Sequence, residues 1–380
     1  MLLESLIPLF CVFLIISFCS NINCHILSHN NHHNNHHSPS PLFIFGDSIL
    51  DVGNNNYINT TTLDQANFWP YGITFFHFPT GRFSDGRLIS DFIAEHAGLP
   101  LIQAYLQPGK HGFYDGVNFA SAGGGALVET FQGSVIDLHM QLKSYKKVKK
   151  WLIKEHGYVK ARKRLKRGVY LFSIGINDYM SLFVTNSSKF LTSYTKPHYV
   201  NMVINNITSV VKEIYESGGR KFGFLNVPPV GCLPALRSIN PERNGECYKQ
   251  VSSYIRLHNN AIFHVLQDLT INLPGFKYAL YDFHTSTLQR LKHPSKFGYK
   301  EGKTACCGTG QFRGIFSCGG KRVVQEFELC NNINDHLFWD SFHFTENAYK
   351  QIAQEMWSNK NYVHHTHHLS YTIKDLFHLP

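Results

Sequence analysis

The sequence predicts an α/β fold, with a central parallel sheet covered by helices on both faces. Three observations predict it. Four short apolar runs, Leu42–Phe45, Val169–Ile174, Phe222–Val227 and Tyr278–Tyr281, are continuous rather than alternating. Strands buried on both faces read this way. Each run stops at a turn signal: Gly46, Gly175, Pro228-Pro229 and Asp282. Between the runs lie segments with apolar residues at helical spacing. A chain of 380 residues fits one large domain, and neither an internal repeat nor a linker divides it.

In chain order, residues 6–18 form the first apolar segment, LIPLFCVFLIISF. It is shorter than the roughly 20 residues of a membrane span and matches the apolar centre of a secretory signal peptide. A signal over residues 1–19 is expected, with a cut between 19 and 24. Residues 25–40 are rich in His, Asn and Ser and read as a disordered leader. The ordered domain is expected over 41–360. Residues 361–380 read as a tail carrying His364, His365, His367 and His368. Helices are expected at Gly86–Ala97, Val200–Tyr215, Tyr248–Leu269 and Thr345–Trp357, where Thr345-Glu346 opens a helix.

The net charge of +10 is local. Of 36 basic and 26 acidic residues, twelve and one lie within 143–167, which leaves 24 and 25 elsewhere. Leu142, Tyr145, Val148 and Leu152 recur there at helical spacing, as in a surface helix with its charged face in water. The same stretch offers contact with an anionic surface such as acidic polysaccharide or lipid.

Cysteine usage points to export. Cys11 and Cys19 leave with the signal, and the fate of Cys24 depends on the cut. Cys232, Cys247, Cys306, Cys307, Cys318 and Cys330 remain, an even set expected to form three disulfides of open connectivity. Glycosylation sequons begin at Asn59, Asn186 and Asn206. A secreted, extracellular protein, reaching as far as the cell wall, is the expected setting. Nucleic acid fits it poorly, and no second apolar stretch is long enough for a stable membrane span.

Two short motifs carry the chemistry. Phe45-Gly46-Asp47-Ser48 follows the first strand, and Asp340-Ser341-Phe342-His343 lies near the C-terminus. In parallel α/β sheets, ligands bind beyond the carboxyl ends of the strands. Ser48 follows the first expected strand and Asn177 the second. A serine hydroxyl becomes a nucleophile when a base takes its proton. His343 suits that task, and Asp340 suits the role of accepting the other imidazole N–H. Donors for a tetrahedral oxyanion are available from the Ser48 N–H, the Asn177 side chain and the turn Ser121-Ala122-Gly123-Gly124-Gly125. Asp47 and Asp178 suit turn-shaping roles, Asp51 and Asn54 to Asn56 suit loop-holding, and Asp85 and Asp91 suit helix starts. The alternative α/β-hydrolase reading lacks its G-x-S-x-G elbow.

The motifs FGDSILDVGNNN (45–56), GVNFASAGGGAL (116–127), GIND (175–178) and FWDSFHFTENAY (338–349) occur in that order. With TGRFSDGRLISDFIAE (80–95), NVPPVGCLP (226–234) and ACCGTG (305–310), the chain resembles the plant GDSL esterase/lipase family of the SGNH hydrolases from residue 42 to about 357. The resemblance implies a flavodoxin-like three-layer α/β/α sandwich. It implies Ser48, Asp340 and His343 as catalytic residues and Ser48, Gly123 and Asn177 as oxyanion donors, with Gly124 left as an alternative to Gly123. Phe344 stands where the family commonly has proline.

The leading expectation is thus a secreted serine-type carboxylic ester hydrolase, working through an acyl-enzyme on Ser48 and acting on lipid or other small or polymeric acyl esters. It needs no cofactor and no metal. An extracellular acyltransferase or polyester synthase would use the same triad. A non-catalytic binding protein on this scaffold is the reading from another class.

Overall fold

A computed structural model describes residues 39–109, 112–185, 193–242, 245–362 and 371–380. The expected signal, residues 25–38 of the expected leader, Cys24, the Asn186 sequon and the second histidine tract lie outside these residues; Ser40 is buried, so the ordered domain starts before the expected residue 41. Pro39–Pro380 form one compact unit.

Five strands form the sheet: β1 (Leu42–Gly46), β2 (Gly116–Asn118), β3 (Val169–Ser173), β4 (Lys221–Leu225) and β5 (Lys277–Tyr281). All neighbouring pairs are parallel, in the order β2-β1-β3-β4-β5. This is the flavodoxin-like order, with its switch point between β1 and β3. β1 and β3 are buried throughout. Their aromatic rungs stack across the sheet: Phe45 on Phe172 at 4.9 Å between ring centroids, and Phe172 on Phe224 at 5.2 Å.

One helical layer holds α1 (Ile89–His96), α9 (Glu346–Ser358) and α10 (Ile373–His378): α9 packs on both α1 and α10, and α10 packs on β4 and β5. The other holds α2 (Leu138–His156), α3 (Tyr158–Arg167), α5 (Lys196–Glu216) and α7 (Lys249–Asn272), with α4 (Ile176–Val184) packed on α7. Two short helices complete the set among the described residues: α6 (Pro234–Ser238) after β4 and α8 (Phe283–Lys292) after β5. The sheet and its two layers make the expected three-layer sandwich.

Several details differ from the sequence reading. β2 has only three residues, too few for a periodic signal. At its start, a Cβ on Gly116 would sit 1.9 Å from the Leu42 carbonyl oxygen, so only glycine lets the two strands pair there. The basic stretch is two helices rather than one, broken at Gly157 with φ +79°. The end expected at residue 360 is also corrected. Ile373 and Leu376 of α10 are buried, and Lys221 Nζ donates to the Leu379 carbonyl at 2.8 Å. One face of α10 thus packs into the core.

All six expected cysteines pair, as Cys232–Cys247, Cys306–Cys330 and Cys307–Cys318. Cys306 and Cys307 lie on a loop-rich segment whose only strands are β6 (Cys307–Gly308) and β7 (Glu328–Leu329). Asn59 is exposed. Asn206 instead sits within α5, where its side-chain amide donates to the Met202 carbonyl at 2.8 Å. Among the described residues, no helix is long and apolar enough to cross a membrane.

Candidate active site

The C-terminal ends of β1 and β3 carry two of the expected residues. β1 ends at Gly46, and the chain turns at once: the N–H groups of Leu50 and Asp51 donate to the Asp47 carbonyl. This turn brings Ser48 to the surface of a cavity of about 470 Å³. α4 follows β3 after two intervening residues and places Asn177 on the same cavity.

His343 arrives from the C-terminal segment. Its Nε2 lies 2.8 Å from Ser48 Oγ. Its Nδ1 lies 2.8 and 2.9 Å from the two Asp340 oxygens. A carboxylate only accepts, so Nδ1 carries the proton and Nε2 accepts from the serine hydroxyl. His343 and Asp340 are 4 % and 0 % exposed, whereas Ser48 is partly open to the cavity. Asp340 Oδ1 also accepts the N–H groups of Phe342 and His343, both at 2.8 Å. Burial pushes the Asp340 carboxyl up. The His343 imidazolium, the hydrogen bonds from His343 and Phe342 and the Tyr71 hydroxyl outweigh it and hold the group below its usual range.

Three donors line this cavity or adjoin the serine. Gly124 donates its N–H to the Ser121 carbonyl at 2.9 Å. Gly123 lines the cavity in the left-handed region, φ +76°, and its N–H meets no acceptor among the described residues. That difference favours Gly123 over Gly124. The Ser48 N–H is likewise without an acceptor among them. Asn177 Nδ2 donates one N–H to the Gly124 carbonyl at 3.0 Å, which orients the amide and leaves its second N–H.

Buried polar side chains hold this arrangement. Asp51 accepts from the N–H groups of Gly53, Asn54 and Ala122 at 2.8, 2.7 and 3.0 Å. Asn54 and Asn55 donate to the carbonyls of Ala120 and Ala122 at 2.8 and 2.9 Å. The loop-holding expected of them is what they do. Asp178 departs from expectation: its carboxylate leaves its own turn and accepts from Ala126 N, Leu127 N and Thr130 Oγ1 at 2.9, 3.0 and 2.7 Å. It thereby clamps the far end of the glycine-rich turn. Asp47 accepts from Ile49 N, as a turn residue does. Its Oδ2 is buried without a partner, and burial pushes its carboxyl up to about 8, aided by the charges of Asp178 and Asp51. Asp91 accepts from Leu88 N at the start of α1. Asp85 instead accepts from Glu346 N at the start of α9.

The cavity wall is apolar, with Leu63, Phe131, Ile176, Met180, Phe316 and Phe342 among its residues. Phe83 packs on the His343 ring at 4.6 Å. Phe344 is buried, and its N–H donates to Tyr349 Oη at 3.4 Å, a bond proline cannot make. Tyr71, Arg322 and Phe316 carry no sequence signal of a role at this site. They sit in loop segments where neither periodicity nor spacing marks a residue.

Comparison with known proteins places the chain in a family. Residues 42–356 match the GDSL-like lipase/acylhydrolase family. The chain is 53 % identical to GDSL esterase/lipase 5 of Arabidopsis thaliana, over 93 % of this chain and 90 % of the relative. It is 51 % identical to GDSL esterase/lipase 2 of the same plant, over 95 % and 96 %. With the GDSL lipase of Tanacetum cinerariifolium the identity is 47 %, over 88 % and 87 %. The chain therefore belongs to the GDSL-like lipase/acylhydrolase family, as an enzyme of its esterase/lipase type.

Proposed function

We propose that this enzyme cleaves carboxylic esters through an acyl-enzyme on Ser48. The observation that carries the reading is the continuous chain Ser48 Oγ–His343–Asp340, with contacts of 2.8 Å at each end of the imidazole. His343 Nε2 takes the serine proton as Oγ attacks the ester carbonyl. Asp340 holds the tautomer and stabilises the imidazolium that forms. The N–H groups of Ser48 and Gly123 and the free N–H of Asn177 receive the developing oxyanion. His343 then gives its proton to the departing alcohol, and water repeats the sequence to release the acid.

The apolar wall above Ser48 suits the acyl portion of a lipid-like ester. Three disulfides suit an extracellular setting. The exposed lysines of α2 and α3 suit contact with an anionic surface. Because α3 leads into the N-terminal end of β3, such contact leaves the opposite, catalytic end of the sheet open.

Aryl esters of graded acyl length, assayed with and without an alcohol acceptor, test the reading. Hydrolysis that rises with chain length and is lost in Ser48→Ala is expected. Hydrolysis that survives Ser48→Ala rejects the mechanism, and ester product in place of free acid makes the enzyme a transferase.

A further inference from the structure

Tyr71 and Arg322 take no part in the scheme above, yet both reach its acid through hydrogen bonds. Tyr71 Oη donates to Asp340 Oδ2 at 2.7 Å. Arg322 Nη2 donates to the same Tyr71 oxygen at 3.1 Å and to the Gln65 carbonyl at 2.8 Å. The two side chains are 0 % and 1 % exposed. Phe68, Phe83 and Trp339 meet the Tyr71 ring edge-on. The Arg322 guanidinium lies 3.8 Å from the ring centre of Phe316, a cavity-wall residue.

Oδ1 of Asp340 is already fixed by two backbone N–H groups. Among the described residues Oδ2 has no backbone donor, and Tyr71 holds it besides the imidazole. A phenol that itself accepts from a cation donates more strongly, because each bond in such a chain polarises the next.

We propose that Tyr71 and Arg322 are positioning residues: the chain Arg322–Tyr71–Asp340 Oδ2 fixes the carboxylate against His343 and draws off part of its charge. The inference rests on the triad reading. Charge shared with Tyr71 is not available to stabilise an imidazolium. Removing the phenol hydroxyl therefore strengthens the ion pair with protonated His343, and the acid limb of activity moves to higher pH. The other titratable groups near Asp340 among the described residues are His343 on its own segment and Tyr349 on α9, with Asp47 and Asp85 acting on Tyr349. Tyr349 is pushed up by burial and stays a neutral hydroxyl. Arg322 also acts on Asp64 at the cavity, so Tyr71→Phe is the cleaner variant.

The test is kcat and KM for an aryl ester from pH 4 to 9, using the full chain and the variants Tyr71→Phe, Arg322→Met, Arg322→Lys and Tyr71→Phe/Arg322→Met. Tyr71→Phe is expected to lower kcat about tenfold with little change in KM, as loss of one charge-assisted hydrogen bond does. Its acid limb should rise by on the order of half a pH unit. Arg322→Met should move the limb the same way by less, and Arg322→Lys should restore part of it. In the Tyr71→Phe background, Arg322→Met should add nothing to the shift. A Tyr71→Phe enzyme with the parent limb and kcat overturns the proposal. So does an Arg322→Met shift of equal size in both backgrounds, since the guanidinium would then act without Tyr71. Should the Arg322 variants fail to fold, Tyr71→Phe, which removes one oxygen atom, still decides. Ser48→Ala run in parallel separates the two failures: activity that survives it rejects the triad, whereas activity that needs Ser48 but ignores Tyr71 rejects this inference alone.

Discussion

The two segments that meet at the proposed catalytic centre are held in different ways. The Ser48 turn grows directly from the sheet, and polar side chains from its own motif and from neighbouring loops fasten it to backbone. Asp51 and Asn54 do this across to residues 118–122, and Gln141 accepts from Gly46 N at 2.9 Å and donates to Gly46 O at 2.8 Å. The Asp340–His343 segment has no sheet beneath it. It hangs on the disulfide-linked loop, where Cys306 N donates to the Phe338 carbonyl at 2.9 Å and Cys307 N to the Trp339 carbonyl at 2.7 Å. The proposed nucleophile is therefore placed by the sheet, and its proposed base and acid by backbone hydrogen bonds to a disulfide-linked loop and to Ala235 N, which donates to the Ser341 carbonyl. Variants on each side should break this pairing in distinguishable ways.

The largest effects fall where the two segments touch. Ser48→Ala is expected to lower kcat by on the order of 10⁴-fold or more, with the fold intact by circular dichroism. Adding His343→Ala to it should cost little further, because the two act as a unit. A double variant far slower than either single one would mean that His343 works independently of Ser48.

On the sheet side, Asn177→Ala should reduce kcat by about 10²–10³-fold, the typical loss for one oxyanion donor. KM should change little. If KM rises and kcat holds, Asn177 binds the ground state instead.

On the cross-linked side, the pair Cys307→Ser/Cys318→Ser removes a disulfide that joins residues 11 apart. A closure of that kind typically stabilises by about 2–4 kcal/mol. The variant should melt earlier, and its kcat should fall more than its KM changes as Asp340 and His343 lose their fixed register. Unchanged kcat in the folded variant would show that the strand-like contacts suffice without the bond.

The smallest effect concerns Asp47. Its carboxyl keeps its proton up to about 8 in the fold, against an ordinary 3.8. Between those values the unfolded chain has released a proton that the folded chain retains, so this group makes stability fall as pH rises. Asp47→Asn removes that contribution. Urea midpoints at about pH 5 and pH 8 should differ less in the variant than in the parent; parallel losses would show that Asp47 ionises normally.

The same division decides how much the sequence reveals. Strand runs such as Leu42–Phe45 and Val169–Ile174 are continuous apolar stretches, and their ends locate Ser48 and Asn177. The Asp340–His343 pair is close in sequence, so its geometry is local and readable. Tyr71 reaches Asp340 across 269 positions and Arg322 reaches Tyr71 across 251, through loops whose course depends on disulfides whose pairing the sequence leaves open. Asp178 was legible as a structural residue but not in its partners, because a side chain that leaves its own turn gives no periodic signal. β2 was too short to register, and α10 followed a tract that looked like tail.

The most direct test of the central claim is to label the intact enzyme with a fluorophosphonate and map the adduct by peptide mass spectrometry. The arrangement predicts a single adduct on Ser48, absent in Ser48→Ala and formed far more slowly in His343→Ala. An adduct on a different serine, or labelling at the parent rate without His343, would contradict it.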